Sequence, residues 1–421
     1  MNDARHTTAP VIPGQLTHSI LIGGGGAAGI TVAAELKRLD PRLDIAIVEP
    51  SELHSYQPGW TLVGAGVFTR KQTERREDTL IPKGVTWIRA AVTQFLPDEN
   101  SVRLSDGRSV RYAWLVACPG LKLDWAKIDG LADTLGKNGV CSNYRPDMAE
   151  YSWRLIQDFR GGTALFTQPA MPIKCAGAPQ KILYLMADHL RRRDRLTAST
   201  LEFCLAGDAL FGVPFFVPPL QKAVDEYGIK VDYRHNLKAV DGPAKTAIFS
   251  VTDGEGNFSE VAKRFDMIHV VPPQTGLDAV RESPLANTAG WIEVDPATLR
   301  HVRYQNVFAL GDAASTTNAK TAAAVRIQAP VVVKNLMAAM KGEALTQAYD
   351  GYGSCPLTVA YGKIVLAEFT YGGKVTPSFP LDPRVPRRSM WYLKTKLLPW
   401  LYWSHMFKGG TFDIAHRERG W

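Results

Sequence analysis

Ser19-Ile20-Leu21-Ile22-Gly23-Gly24-Gly25-Gly26-Ala27-Ala28-Gly29 sets the architecture of this chain. Four residues of strand character run into a glycine loop. The pattern then turns helical from about Ala27 to Leu39, and Asp40-Pro41 stops it. A second strand, Asp44-Ile45-Ala46-Ile47-Val48, ends at Glu49. The unit reads strand, helix, strand. Gly24, Gly26 and Gly29 fit G-x-G-x-x-G, and Ala33 adds a small residue for close helix packing. The first glycine permits a tight turn. The second lets a pyrophosphate approach backbone N–H groups at a helix N-terminus. Glu49 follows Gly29 by 49 − 29 = 20 residues, where a carboxylate accepts from a ribose diol and repels a 2′-phosphate.

The rest of the chain chooses FAD. Trp114 to Ala117 reads as a buried strand, followed by Cys118-Pro119-Gly120, an element that FAD enzymes place against the cofactor. Asn306 to Leu310 is another strand, ending in Gly311-Asp312, where the Asp meets the ribityl–pyrophosphate region. Asn318-Ala319-Lys320-Thr321 then opens a long helix that runs through Ala339. Its positive end suits the edge of a reduced flavin, and Lys320 either adds charge there or is a solvated surface lysine. Residues 84 to 120 read as a small antiparallel meander.

Residues 145 to 280 repeat the alternation. Thr163 to Phe166, a helix after Gly177, Leu201 to Leu205 and Met267 to Val271 are its elements. No second glycine fingerprint appears, either at Phe166 to Cys175 or at Leu205 to Gly212. A nicotinamide nucleotide therefore has no evident phosphate cradle. The expected fold is α/β: two Rossmann-like domains of the flavoprotein disulfide reductase type plus a C-terminal membrane-associating segment. The expected divisions are 17–144 and 286–345 for the FAD domain, 145–285 for the second domain, and 346–421 for the rest.

Composition excludes several classes. The chain has 421 residues, 45% hydrophobic and 21% charged, which is ordinary for a globular protein of about two or three domains. Five cysteines without framework spacing exclude a disulfide-stapled scaffold. No CxxC, HExxH or Cys/His cluster points to zinc, so no metal is expected. The polar first 15 residues lack an apolar h-region, so no cleaved signal peptide is expected. No apolar run of about 18 residues occurs.

The net charge is +8, and the end of the chain carries a distinctive part of it. From Phe379 to Trp421 there are eight Lys or Arg against three Asp or Glu, with Trp391, Trp400, Trp403 and Trp421. Leu393, Leu397, Leu398, Leu401, Tyr402, Met406 and Phe407 add apolar bulk. Basic residues with Trp and Leu on short helices suit an interfacial anchor. Ordinary core or a dimer interface is the competing reading. No nucleic-acid signature accompanies the charge.

Two cysteines have distinctive settings: Pro172-Ile173-Lys174-Cys175-Ala176-Gly177 and Tyr349-Asp350-Gly351-Tyr352-Gly353-Ser354-Cys355-Pro356. Lys174 and a helix start lower a thiol pKa at Cys175. The Gly/Tyr/Pro turn can hold an exposed sulfur at Cys355. Burial as small hydrophobes is the competing reading for both, and it is preferred for Cys118 and Cys204. Cys141 is ambiguous.

Gly23 to Gly29, Pro50 to Gly66, Pro172 to Tyr184, Tyr349 to Pro356 and the aromatic tail together resemble the sulfide:quinone oxidoreductase family, type II branch. The resemblance implies FAD as cofactor, with Gln57 and Val92 completing its expected contacts. It implies Cys175 and Cys355 as a redox pair. Sulfide attacks Cys355 and leaves a persulfide; Cys175 departs as thiolate and reduces the flavin; a second sulfide, sulfite or a thiol removes the sulfane sulfur; quinone takes the electrons. Phe369, Trp391 and Lys394 are the expected quinone neighbours. The type I branch has a third cysteine at a position that here falls near Tyr144. The expected location is the face of a bacterial inner or mitochondrial-type membrane, and a homo-oligomer is left open. The alternatives are an NADH:quinone dehydrogenase, a flavocytochrome c-type sulfide dehydrogenase and a flavin-binding scaffold without turnover.

Overall fold

The structure, a computed structural model, describes residues 16–317 and 319–411. The apolar run before the glycine loop forms β1 (Leu16–Gly23), followed by α1 (Ala27–Leu39) and β2 (Ile45–Val48). Ile20, Leu21 and Ile22 are fully buried, as a parallel strand covered on both faces requires. Next come β3 (Val85–Ile88), β4 (Val92–Leu96), β5 (Ser101–Leu104) and β6 (Ser109–Ala117). The sheet order is β3-β2-β1-β6-β5-β4. The strands β3, β2, β1 and β6 are mutually parallel. Only β4, β5 and β6 form the antiparallel meander. The first strand expected in that meander, β3, instead extends the parallel sheet, because it lies beside the edge of β2.

The chain then leaves this sheet and builds a second one. Its strands are β7 (Val140–Cys141), β8 (Gly162–Gln168), β9 (Ser199–Leu205), β10 (Lys230–Tyr233) and β11 (Met267–His269). All pair in parallel, in the order β7-β11-β8-β9-β10. The helix α2 (Ala178–Arg191) crosses from β8 to β9. A strand, β12 (Val307–Ala309), then returns to the first sheet and pairs with β6. The helix α3 (Ala322–Met340) packs on α1. It begins two residues after Lys320, because Thr321 takes the N-cap and accepts from the Ala324 N–H at 3.2 Å. A mixed sheet with a parallel half, and a wholly parallel sheet inserted between its strands, are the Rossmann-like pair that the alternation implied.

A hairpin of β13 (Gly353–Ala360) and β14 (Lys363–Phe369) follows and leans on α2. Thr358 donates to the Lys181 carbonyl, and the Tyr361 N–H donates to Asp188. The last described elements are one helical run through Arg388–Tyr392, Leu393–Leu397 and Leu398–Ser404, closed by a turn at Met406–Lys408. Among the described residues no helix is long and apolar enough to cross a membrane.

Candidate active site

The glycine loop has the geometry of a phosphate cradle. Gly24 has φ +119°, and a Cβ there would stand 2.5 Å from the Cys118 carbonyl oxygen. At Gly29 a Cβ would meet the Gly24 oxygen at 1.9 Å. These two glycines allow the strand-to-helix turn to close. Gly26 differs: nothing lies within 4 Å of its Cβ position, so the N-terminus of α1 faces open space there. Glu49 accepts from the N–H of Gly25 at 2.8 Å and of Ser51 at 2.9 Å. Burial pushes its carboxyl above the ordinary value. Val92 lies beside Gly23, and Gly120 (φ +81°) follows the Cys118-Pro119 step against Gly24.

The far end of the cradle is built from β12 and α3. Gly311 (φ +72°) ends the strand, and its N–H donates to Gln328 on α3 at 2.9 Å. Lys320 is buried, which overturns its reading as a solvated helix-starting lysine. Its ammonium donates to the carbonyls of Asp312 at 2.8 Å and Ala314 at 2.9 Å, over the Trp291 ring. Burial lowers its pKa to about 8.

The sulfur loop occupies the place of a second dinucleotide loop. It joins β8 to α2, and Cys175 sits in it with φ +53°. The Cys175 N–H donates to the Lys320 carbonyl at 2.9 Å, and its carbonyl accepts from Ala178 at the start of α2. Cys175 Sγ lies 4.0 Å from Cys355 Sγ, although 355 − 175 = 180 residues separate them. Both are free thiols. Cys355 is a fully buried residue of β13 paired with Ala367, not an exposed turn residue. The Gly/Tyr stretch ahead of it forms the turn, and pairing begins at Gly353.

Charge separates the two thiols. The hydrogen bond from Cys355 holds Cys175 well below the ordinary thiol range; burial opposes this, and the Lys181 ammonium, 3.0 Å from Cys175 Sγ, reinforces it. The same hydrogen bond, with burial and the charge on Cys175, pushes Cys355 well above that range. Burial pulls Lys181 down, but the charge on the two cysteines outweighs it and keeps the ammonium protonated. The cation that serves Cys175 is therefore Lys181. Lys174 turns away, donates to Gln57 Oε1 at 2.7 Å and lies over the Trp60 ring.

No family model matches the chain. The mitochondrial sulfide:quinone oxidoreductase of Dictyostelium discoideum is 44% identical over 396 residues, covering 93% of this chain and 86% of that protein. The mitochondrial sulfide:quinone oxidoreductase of Mus musculus is 39% identical over 392 residues, covering 93% and 87%. This chain belongs to the sulfide:quinone oxidoreductase family. The crystal structure of the sulfide:quinone oxidoreductase from Aquifex aeolicus superposes with a TM-score of 0.76. It covers 94% of this chain and 92% of that one at 18% identity, which establishes the shared fold. Sulfide:quinone oxidoreductases are FAD flavoproteins. The open face at Gly26, the acid at Glu49 and the capped N-terminus of α3 fit such a cofactor.

Within that family frame, sequence reasoning missed several neighbours of the cysteines. Lys181 is one helical turn into α2, and the signal for it was its place on the first turn after the sulfur loop. The Tyr144 hydroxyl donates to the Lys174 carbonyl at 3.3 Å and sits in the field of both cysteines. It stands where the type I branch was expected to place a third sulfur. Cys141, the ambiguous one, lies on β7, fully buried in the core of the second sheet. Burial raises its pKa to about 12, the state of an inert thiol.

The expected quinone residues separate. Phe369 packs edge-on to Phe211, and Trp391 packs near Tyr361. Lys394 goes with the sulfurs instead: it is buried, and burial with repulsion from Lys181 lowers its pKa to about 7. Its ammonium reaches the Pro58 carbonyl at 3.4 Å.

The apolar tail also divides. Leu401 is buried, and Tyr402, Met406 and Phe407 belong to the core of the first sheet, with Tyr402 and Phe407 against His54 and Tyr402 against Tyr56. Tyr392, Leu397 and Trp400 are exposed, at 61%, 42% and 55%. Trp421 lies outside the described residues.

Proposed function

We propose that this chain oxidises hydrogen sulfide at Cys355 and Cys175 and delivers two electrons, through bound FAD, to a quinone. The observation that carries the assignment is the 4.0 Å approach of two sulfurs 180 residues apart, with an ammonium 3.0 Å from only one of them. An S–S bond is about 2.05 Å long, so a small side-chain movement joins the pair.

The asymmetry assigns the roles. In the oxidised pair, HS⁻ attacks Cys355 and the S–S bond breaks. Cys355 gains the new sulfur as a persulfide, and Cys175 leaves with the electron pair as a thiolate. Lys181 stabilises that thiolate, and a better-stabilised thiolate leaves faster. FAD, when bound, supplies the two-electron acceptor for it. A second nucleophile of the sulfide, sulfite or thiol class then takes the outer sulfur from Cys355. The two cysteine sulfurs rejoin when the electron pair has moved on.

Gly24, Gly26, Gly29, Glu49, Val92 and Gly120 would hold the adenosine and pyrophosphate end. Gln57, Gly311, Asp312, Lys320 and Thr321 would hold the end that faces the cysteines. The Cys175 N–H bond to Lys320 supports this placement, because it fastens the sulfur loop beside the positive end of α3.

The exposed Tyr392, Leu397 and Trp400 lie on one helical face with Lys396. An aromatic, aliphatic and basic face of this kind suits the headgroup boundary of a membrane. Leu381 and Val385 are exposed as well. Quinone would enter here and pass Trp391 and Phe369.

Anaerobic titration tests the reading. Sulfide is expected to bleach the flavin, NADH to leave it oxidised, and a quinone analogue to restore it. Bleaching by NADH instead of sulfide would favour the NADH:quinone dehydrogenase alternative.

A further inference from the structure

A cavity of about 280 Å³ opens where two helices end. The helix Pro146–Asp158 and the residues just after it contribute Gln157, Asp158 and Arg160; the end of α2 contributes His189, Arg193 and Arg195. Every lining side chain is polar. The cavity lies at the far end of α2 from the sulfurs. Cys175 precedes that helix and His189 is in its last turn, so roughly 20 Å of helix separates them at 1.5 Å per residue. Neither the sulfur chemistry nor the glycine cradle uses it.

The charges here come from the run Arg191-Arg192-Arg193-Asp194-Arg195 and from Arg160. Cations at a helix C-terminus offset its dipole, which is the ordinary account of such a run. The structure divides it. The buried Asp188 takes Arg191 at 2.6 Å and Arg192 at 2.9 Å. Arg160 Nη1 donates to the Gln157 carbonyl at 2.9 Å, and Arg195 Nη1 to the Gln157 and Phe159 carbonyls, each at 3.3 Å. These bonds hold two guanidiniums at the cavity wall and occupy one nitrogen of each. The Arg193 side chain makes no hydrogen bond or ion pair among the described residues, and neither does Asp158 pair with an arginine. Burial, then Arg193 and Arg195, holds His189 below the ordinary imidazole value, so it is neutral at pH 7. Three cations therefore face one carboxylate.

We propose that this cavity binds a phosphate dianion, free or as a phosphomonoester, between Arg160, Arg193 and Arg195. A guanidinium presents two N–H groups to two oxygens of a phosphate, and no lysine lines the cavity. The excess of two positive charges matches a dianion. The volume sits at the small end of ligand cavities, which start at about 300 Å³. The Gln157 amide offers a donor and an acceptor to whatever the phosphate carries. Free phosphate and a lipid headgroup such as phosphatidate share this chemistry. The inference does not depend on the flavin reading.

The test titrates inorganic phosphate into the full-length protein by calorimetry at physiological ionic strength. The wild type is expected to show a saturable site. Arg193→Gln, which removes no bond of the fold, is expected to weaken it at least about tenfold, the scale of a hydrogen bond to a charged group. Arg191→Gln removes a charge that Asp188 already neutralises, and should leave affinity within about twofold. Bound phosphate is expected to raise the His189 pKa, because a nearby negative charge favours the imidazolium. The ring-proton NMR shift reads this, assigned by its loss in His189→Gln. A second arm co-sediments the protein with phosphatidylcholine vesicles with and without phosphatidate. Phosphatidate-dependent binding lost in Arg193→Gln, without binding of free phosphate, would assign the site to the headgroup. Vesicle binding that survives Arg193→Gln belongs to the face at Trp400. If binding of neither probe depends on Arg193, or neither probe binds, the proposal is overturned.

Discussion

The Cys175 N–H donates to the Lys320 carbonyl across 2.9 Å, and this bond ties the loop of the inserted sheet to the turn ahead of α3. Cys175 belongs to the loop between β8 and α2, while Lys320 precedes the cap of α3. The bond explains how a thiol from the inserted sheet comes to stand beside the segment between β12 and α3, where we propose the cofactor is held. It also explains why Lys320 is buried: its own ammonium must reach the carbonyls of Asp312 and Ala314 to keep the turn in shape.

Lys181→Met is expected to raise the Cys175 pKa, because it removes the ammonium 3.0 Å from the sulfur. The pH at which iodoacetamide alkylation of the reduced protein reaches half its maximal rate should move up by about one unit. Lys181→Arg should keep part of the rate. Unchanged alkylation in Lys181→Met would remove the lysine from the account.

Lys394 gives the site a pH dependence near 7. Its pKa is lowered to about 7 by burial and by Lys181. Above that pH the site loses one positive charge, so the Cys175 thiolate is less well supported. The alkylation profile should therefore show an inflection near pH 7 that Lys394→Met abolishes. The stability effect has a definite sign. Between about pH 7 and the unfolded value of about 10.4, the unfolded chain binds a proton that the native state does not. Stability thus rises with pH across that window, and the cost of the buried charge is fully present below it. Denaturant melts of Lys394→Met should lose that slope.

The second and third glycines of the cradle should fail in different ways. At Gly29 a Cβ would overlap the Gly24 carbonyl, so Gly29→Ala should destabilise the whole first sheet, by roughly 1–3 kcal/mol or more in urea melts. At Gly26 the same Cβ meets no protein atom. Gly26→Ala should keep the wild-type melting curve as apoprotein and lose FAD. Equal melting curves for the two variants would contradict this division.

These cases mark what the chain displayed before folding. The strand, glycine turn and helix were legible because they are contiguous in sequence, and Glu49 follows within one unit. The second sheet was legible from its alternation, and its missing fingerprint placed Cys175 where a phosphate loop would lie. The burial of Cys355 was not legible, since it depends on β13 finding β14 and leaning on α2. Lys181 and Lys174 are both near Cys175 in sequence, and only the start of α2 decides which one turns toward the sulfur. The aromatic tail looked uniform in sequence. Its division into a core half around Tyr402 and an exposed half around Trp400 is set by which face meets His54.

That division gives a clean surface test. Truncation after Phe379 would remove core residues, so point substitutions are the better instrument. Replacing Tyr392, Leu397 and Trp400 together by Ser is expected to weaken binding to anionic liposomes by at least about tenfold, since burying each such side chain is worth about 1.5–3 kcal/mol. Sulfide-driven flavin reduction should stay at the wild-type rate. Undiminished liposome binding would remove this face from the membrane reading.

The most direct measurement is anaerobic stopped-flow mixing of the FAD-loaded protein with sulfide, in the wild type, Cys175→Ser and Cys355→Ser. Flavin absorbance is expected to bleach in the wild type and to remain oxidised in both variants, with FAD content unchanged. Bleaching at the wild-type rate in either variant would contradict the paired-sulfur mechanism.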